Sequence, residues 1–122
     1  MKLDQARAFA LSLPETHGAP HFEMWSFRVR GKIFATVPPD GLHLHIFVDE
    51  AAVQGAVGSD PKAFEELWWG KKLAGVRVNL PAARIGPVFD LLAASWRRKA
   101  PKKVVAAWDA GADGRNSGGR RT

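Results

Sequence analysis

Residues 25–48 read WSFRVRGKIFATVPPDGLHLHIFV, and this stretch decides the fold. Apolar side chains alternate with polar ones in three runs, at 25–29, 33–37 and 42–48, separated by Gly31 and by PPDG at 38–41. Such alternation predicts strands that bury one face, and proline, aspartate and glycine favour the turns between them. The stretch therefore predicts three consecutive antiparallel strands.

The first turn allows two registers. A loop of odd length pairs Val29 with Ile33 and keeps the apolar side chains on one face. A two-residue turn at Arg30-Gly31 pairs Val29 with Lys32 and would bury that lysine. We favour the first register, which places Phe34 on the polar face.

Helical periodicity and capping residues predict the other elements. We expect helices at 4–13, 50–57, 61–67 and 102–109, and a longer amphipathic helix that begins at Ile85. Asp4, Asp49 and Asp60 with Pro61 are the expected start signals of the first three. Residues 15–20 are expected to form a loop, and residues 75–80 a fourth strand. The fold class is α+β, with an antiparallel β-sheet covered on one face by helices in a two-layer sandwich.

The length of 122 residues, 46% of them hydrophobic, suits one domain, which we assign to residues 1–109. Residues 110–122 contain no large apolar side chain, which predicts a disordered basic tail. Cysteine is absent, so disulfides and thiolate chemistry are excluded. The charged N-terminal region and the lack of a long apolar run predict a cytoplasmic protein with no membrane partner.

Basic residues outnumber acidic ones by 18 to 12, a formal net charge of +6 that favours polyanionic partners. Cations bind phosphates, and neighbouring Phe and His side chains can stack on bases. The residues expected to contact nucleic acid are Arg28, Arg30, Lys32 and Arg77 on the sheet, and Arg97, Arg98, Lys99, Lys102 and Lys103 at the end of the long helix. A solvated strand face and favourable charges at a helix C-terminus explain the same residues without a ligand.

The adjacent Trp68 and Trp69 cannot both face the core if their segment is extended. One of them is therefore expected to line a groove or an interface, and the candidate ligand groove is assigned to Trp68 and Trp69 together. This indicates an alternative function, in which the chain is an adaptor that binds a small ligand or a protein at an aromatic groove and performs no catalysis.

No catalytic pattern accompanies these features. The serines lie outside any Gly-x-Ser-x-Gly motif, and no Gly-rich phosphate loop is present. His43 and His45 share one strand face, but a metal site needs three or four converging ligands. We expect no enzyme, no metal and no cofactor, and keep a histidine-based metal site as a third hypothesis.

Four pieces of sequence occur in an order and spacing that resembles the MmcQ/YjbR-like family over about residues 1–110. They are LSLPE at 11–15, FRVRGKIFA at 27–35, GVRVNL at 75–80 and LLAASWRRKAPKK at 91–103. The resemblance implies an α+β domain with a frataxin-like fold and a topology described as a double-wing DNA-binding motif. It supplies no catalytic residues. Because only Asp4 and Glu15 flank the first helix, the acidic ridge of frataxin is missing and iron binding is not transferred.

The leading hypothesis is a DNA-binding protein with mainly sequence-independent phosphate contacts. The sequence leaves open the choice between DNA and RNA, the oligomeric state, and whether the two basic patches share one surface.

Overall fold

Six strands and four helices make up the part of the chain that the computed structural model describes, which is the backbone of residues 1–120 and the side chains of residues 1–111. The strands are β1 (Thr16–His21), β2 (Met24–Val29), β3 (Lys32–Val37), β4 (His43–Ile46), β5 (Phe64–Trp69) and β6 (Lys72–Asn79). The helices are α1 (Leu3–Ser12), α2 (Glu50–Ser59), α3 (Ile85–Lys99) and α4 (Lys102–Arg120). The strands form one antiparallel sheet in the order β1-β2-β3-β4-β6-β5. The predicted α+β fold class is confirmed.

The core lies between one face of the sheet and the helices. Phe27, Ile46 and Val76 occupy one row across the sheet and are fully buried on this side. The apolar stripe of α3 faces them, and Trp96 is buried with its indole N–H donating to the Pro14 carbonyl at 3.1 Å. The predicted amphipathic helix is therefore confirmed. We call the opposite side, which carries none of the described helices, the open face.

The register at the first turn differs from our expectation. Arg30 and Gly31 form a two-residue turn with φ of 51° and 79°, so Val29 pairs with Lys32. Lys32 is nevertheless exposed, because it lies at the end of the strand. A bulge then restores the favoured pairing, and Phe27 lies opposite Ala35. Phe34 is the extra residue of this bulge and is fully buried, so its placement on the polar face was wrong.

Residues 15–20 are not the loop that glycine and proline predicted, because most of them form β1. An edge strand needs hydrogen bonds on only one side, and it therefore tolerates Pro20, which has no N–H. A Cβ at Gly18 would lie 2.6 Å from the indole nitrogen of Trp25, so a larger residue at this position would displace that partly exposed ring.

The helix expected at 61–67 is a turn followed by β5. The Asp60 carbonyl accepts the N–H groups of Ala63 and Phe64, at 3.1 and 3.0 Å, and the chain then extends. Phe64 is buried in the core and pairs with Val78, so burial overrides the helical preference of this Glu-containing segment.

The ends of two helices test the expected caps. Asp49 caps α2 as predicted, since its carboxylate accepts the Ala52 N–H at 2.9 Å. Helix α1 instead has Lys2 at its N-cap, and Asp4 lies in the first turn, where a negative charge favours the helix dipole.

The expected domain boundary at residue 109 falls within α4. Most of the expected disordered tail, from residue 112 on, has side chains outside the described residues, so the expectation stays a prediction. None of the described helices is both long and apolar enough to cross a membrane.

Candidate functional site

A cleft of about 770 Å³ interrupts the open face. Strand β4 ends at Ile46, so in the described chain no strand separates the first residues of β3 from those of β6. Both flanking strands bulge at this level, with Phe34 and Ala74 as the extra residues. Bulges bend strands, and two of them on either side of a short strand open the sheet.

Ser95 on α3 supports the cleft from the core side. Its buried hydroxyl lies 2.6 Å from the Phe34 carbonyl and 2.7 Å from the Phe47 carbonyl. The hydroxyl thereby joins β3 to the residue that follows β4. Ser95 holds the segment that carries the Phe47 ring at the point where strand pairing stops.

The floor of the cleft is polar. Thr36 and His45 pair across β3 and β4, and their exposed fractions are only 3% and 7%. The Arg77 guanidinium lies 3.0 Å from Nε2 of His45, and because a guanidinium only donates, Nε2 accepts and the ring proton is on Nδ1. Burial, with the Arg77 charge second, lowers the pKa of His45 to about 4. The floor therefore offers a neutral imidazole N–H and a hydroxyl, neither with a hydrogen-bond partner among the described residues.

The cleft has aromatic side chains at both ends. Phe47 and Trp69 meet at one end with ring centroids 5.0 Å apart and planes tilted by 60°. Phe22, in the turn between β1 and β2, lies at the other end and is 94% exposed. Sequence reasoning missed Phe22, although a phenylalanine in a polar turn between His21 and Glu23 is the signal that could have found it.

The two tryptophans expected at a groove lie on opposite sides of β5. Trp69 lines the cleft and is 55% exposed. Trp68 points to the helix side, where its indole N–H donates to Glu66 at 3.1 Å and Gln54 of α2 donates to the same carboxylate at 2.9 Å. The structure thus places only Trp69 in the cleft.

Three cations border the cleft near the Phe47 ring. Lys72 begins β6, and Arg98 and Lys99 end α3. Arg98 donates to the Phe47 carbonyl at 3.0 Å, which fixes its guanidinium at the rim. Lys72 was not among the residues expected to bind nucleic acid, because the predicted strand began at residue 75 whereas β6 begins at Lys72.

The cations expected on the sheet do not form one patch. Arg28 donates to the Ser26 hydroxyl at 2.9 Å and is thus held along β2. Arg77 pairs at 3.2 Å with Glu65, which lies opposite it on β5. This acidic partner was not expected, because residues 61–67 were assigned to a helix.

The other two sheet cations lie at the turn between β2 and β3. Arg30 pairs with Glu15. Lys32 pairs with Val29 in the ladder, and Val29 is buried in the core, so Lys32 projects to the helix side at the strand end. Its expected place on the open face was wrong.

The helix-end cations differ in how far their charges are satisfied. Arg97 pairs with Asp109 and lies 5.1 Å from the ring centroid of Trp108. Lys99, Lys102 and Lys103 form no ion pair with any described residue. Lys99, Lys102 and Lys103 therefore place three unpaired positive charges within five residues, at the junction of α3 and α4.

One of the expected sheet cations, Arg30, meets the helix-end cations at one end of the molecule. Arg30 and Lys103 line a shallow depression of about 480 Å³, together with Glu15 and Trp108. The start of β3, the start of β6 and the end of α3 all lie at this end. We call six of the cations at this end the basic end: Arg30, Lys72, Arg98, Lys99, Lys102 and Lys103.

The histidines on β4 have separate partners. His43 Nδ1 lies 2.7 Å from the Asp40 carboxylate, whereas His45 bonds to Arg77. Within the described residues, no group of three or more His, Asp or Glu side chains is placed to hold a metal ion.

Comparisons with known proteins give a family and a fold. The model of the YjbR family matches residues 11–98. The crystal structure of Deinococcus radiodurans protein DR2400, described by its DUF419 domain, is similar with a TM-score of 0.66 and 21% sequence identity, and the match covers 78% of this chain and 75% of that chain. At this identity the likeness concerns the fold alone. No curated protein sequence matches the chain.

Proposed function

This chain belongs to the YjbR family, and we propose that it is a cytoplasmic DNA-binding protein rather than an enzyme, with phosphate contacts made at the basic end. The observation that supports the proposal is a group of unpaired positive charges in one short segment. Lys99, Lys102 and Lys103 have no acidic partner among the described residues. Arg98 donates to a backbone carbonyl, which leaves its charge without a counterion. Neutralised arginines elsewhere on the sheet add little to such a surface.

Helix-end electrostatics alone explains these lysines poorly. Cations stabilise the C-terminus of α3, but Lys102 and Lys103 occupy the first turn of α4, where positive charge opposes the helix dipole. Two lysines at an unfavourable helix position indicate that the positive surface itself is used. Phosphates are a suitable counterion, because each one held releases condensed cations from DNA.

None of the contacts proposed at the basic end is with a base edge in a groove of duplex DNA. The proposed contacts are those of flexible lysines with the backbone, so binding is expected to be sequence-independent and weak, with a Kd of about 10⁻⁴–10⁻⁶ M at moderate salt.

Fluorescence anisotropy of a labelled duplex tests the proposal. Four backbone contacts give a slope of about −3.6 for the logarithm of the association constant against that of salt concentration, hence a roughly hundredfold loss between about 50 and 200 mM salt. Two duplexes of unrelated sequence serve as mutual controls and should bind alike. An absence of binding at the lower salt concentration would end the proposal.

A further inference from the structure

The cleft on the open face combines two features that no phosphate contact requires with a third that suits a phosphate. It has an aromatic corner at Phe47 and Trp69, a floor with buried polar groups at Thr36 and His45, and cations on one rim. An apolar cavity with a few convergent polar groups is the usual form of a site for a small organic molecule.

The spacing of these features suits one planar molecule. His45 and Phe47 project from the same side of the chain two residues apart, a separation of about 7 Å in an extended strand. A nucleobase lying against the Phe47 and Trp69 rings would therefore reach the floor with its edge. Aromatic surfaces accept any base by stacking, as single-strand binding proteins show.

The polar groups on the floor of the cleft determine which edge of a nucleobase can bind there. Nδ1 of His45 carries a proton, because Nε2 already accepts from Arg77, and the Thr36 hydroxyl can donate as well. Guanine presents two neighbouring acceptors, O6 and N7, on one edge. The rim adds three positive charges beside the same rings, at Lys72, Arg98 and Lys99. Two carboxylates, Glu23 and Asp49, also line the cleft, and that of Asp49 is bonded to the N-terminus of α2.

Phe22 is an independent indication that the cleft has a ligand. Its φ of 56° lies in the left-handed region, which a bulky residue adopts only with strain, and 94% of the side chain is exposed. The only ring contact of Phe22 in the described chain is with its neighbour His21, at 4.7 Å between centroids, and glycine would adopt this φ without strain. Residues kept in strained conformations cluster at ligand clamps.

We propose that the cleft binds one nucleotide unit, with its base against Phe47 and Trp69, its acceptor edge on the Thr36–His45 floor, and its phosphate at the Lys72–Arg98–Lys99 rim. The proposal rests on the proposed function for the source of the nucleotide, which is either an unpaired residue of single-stranded DNA or a free nucleotide of the same chemistry.

Calorimetric titration with dGMP tests the site, with deoxyguanosine and inorganic phosphate as the two half-ligands. Trp69→Ala should raise the Kd for dGMP roughly tenfold or more, since one base stack carries that much affinity. Trp68→Ala is the matched control, because Trp68 is similarly exposed but lies on the other side of β5, and its Kd should equal that of the wild type. Lys99→Ala should weaken dGMP and leave deoxyguanosine unchanged.

One further readout separates a ligand site from a structural effect. In a proton–nitrogen spectrum, dGMP should shift the indole signal of Trp69 and leave that of Trp68 in place. No saturable binding of dGMP at about 10 mM, or equal effects of the two tryptophan substitutions, would overturn the site.

Competition with a single-stranded oligonucleotide identifies the source. Displacement of dGMP by the oligonucleotide assigns the cleft to an unpaired nucleotide, and its failure assigns the cleft to free nucleotides. Duplex binding at the basic end should survive Trp69→Ala. If the protein binds dGMP but no duplex DNA, the proposed function is refuted and the nucleotide site in the cleft stands. If it binds duplex DNA but no dGMP, the nucleotide site is refuted and the proposed function stands.

Discussion

Removal of the Ser95 hydroxyl tests how much the contacts that support the cleft from the core side contribute to stability. Ser95→Ala deletes the contacts of 2.6 and 2.7 Å that join the Phe34 and Phe47 carbonyls to α3. Neither carbonyl is left bare, because the Phe47 N–H still donates to Phe34 at 3.2 Å and Arg98 still donates to Phe47 at 3.0 Å. The cost is therefore that of a net hydrogen bond, about 1–1.5 kcal/mol, rather than that of a buried unsatisfied group, about 1–3 kcal/mol.

Helix propensity offsets part of this cost, since alanine is favoured over serine within a helix by up to about 0.5 kcal/mol. The expected loss of unfolding free energy is then about 1 kcal/mol, measured by urea denaturation with unchanged m-value. Ser59→Ala is the control, because its hydroxyl bonds at the exposed end of α2 and should change stability by less than about 0.5 kcal/mol. Equal losses in the two variants, or a loss above about 3 kcal/mol for Ser95→Ala, would refute the reasoning.

Three further tests address the packing at Gly75, the titration of His45 and the charge of Glu15. Gly75→Ala should lower the unfolding free energy by about 3 kcal/mol or more, because the new Cβ would overlap the Ile46 carbonyl. Gly55→Ala has open space in α2 and should raise the unfolding free energy by about 0.5–1 kcal/mol. Urea denaturation of the two variants measures both changes. Burial lowers the pKa of His45 to about 4, against about 6.5 in an unfolded chain, so the stability gained by keeping this ring neutral is full above pH 6.5 and is lost as pH falls towards 4. Between pH 7 and about pH 4.5 the wild type should therefore lose about 2 kcal/mol more than His45→Gln in denaturant unfolding, and parallel losses would count against a neutral buried imidazole. Glu15→Gln removes the negative charge beside Arg30 and Lys103, so duplex DNA should bind a few-fold more tightly at low salt in anisotropy titrations, by roughly 0.5–1 kcal/mol; weaker binding would place the duplex elsewhere.

The sequence predicted those elements whose signals are local. Alternation over residues 25–48 gives β2, β3 and β4, and the stripe from Ile85 to Trp96 gives α3, because each periodicity reflects a single buried face. Strands β1 and β5 were missed because they lie at the two sheet edges, where pairing with β2 and β6 determines the backbone and local composition does not.

The candidate site was predictable only in part for the same reason. That one of Trp68 and Trp69 leaves the core follows from alternation within a strand, but the meeting of Trp69 with Phe47 depends on how β4 and β5 flank β6. The pairing of charges on the sheet could not be predicted either, because it depends on the missed strand β5. Glu65 lies opposite Arg77 and neutralises it only when residues 64–69 form a strand. The helix-end lysines, whose position is set by one helix end and Pro101, were placed correctly from sequence.

Substitution at the basic end most directly tests the proposal that this surface binds the phosphates of DNA. Lys102→Ala with Lys103→Ala removes two unpaired charges from the first turn of α4, where alanine suits the helix. Lys62→Ala with Arg84→Ala removes the same charge from exposed positions remote from the basic end, beside Asn79 at the far end of β6 and at the N-cap of α3. Anisotropy titration of duplex DNA across a salt series should give the first variant a slope smaller in magnitude by about 1.8, and leave the second within about 0.5 of the wild type. Equal slopes for the two variants would contradict phosphate binding at the basic end.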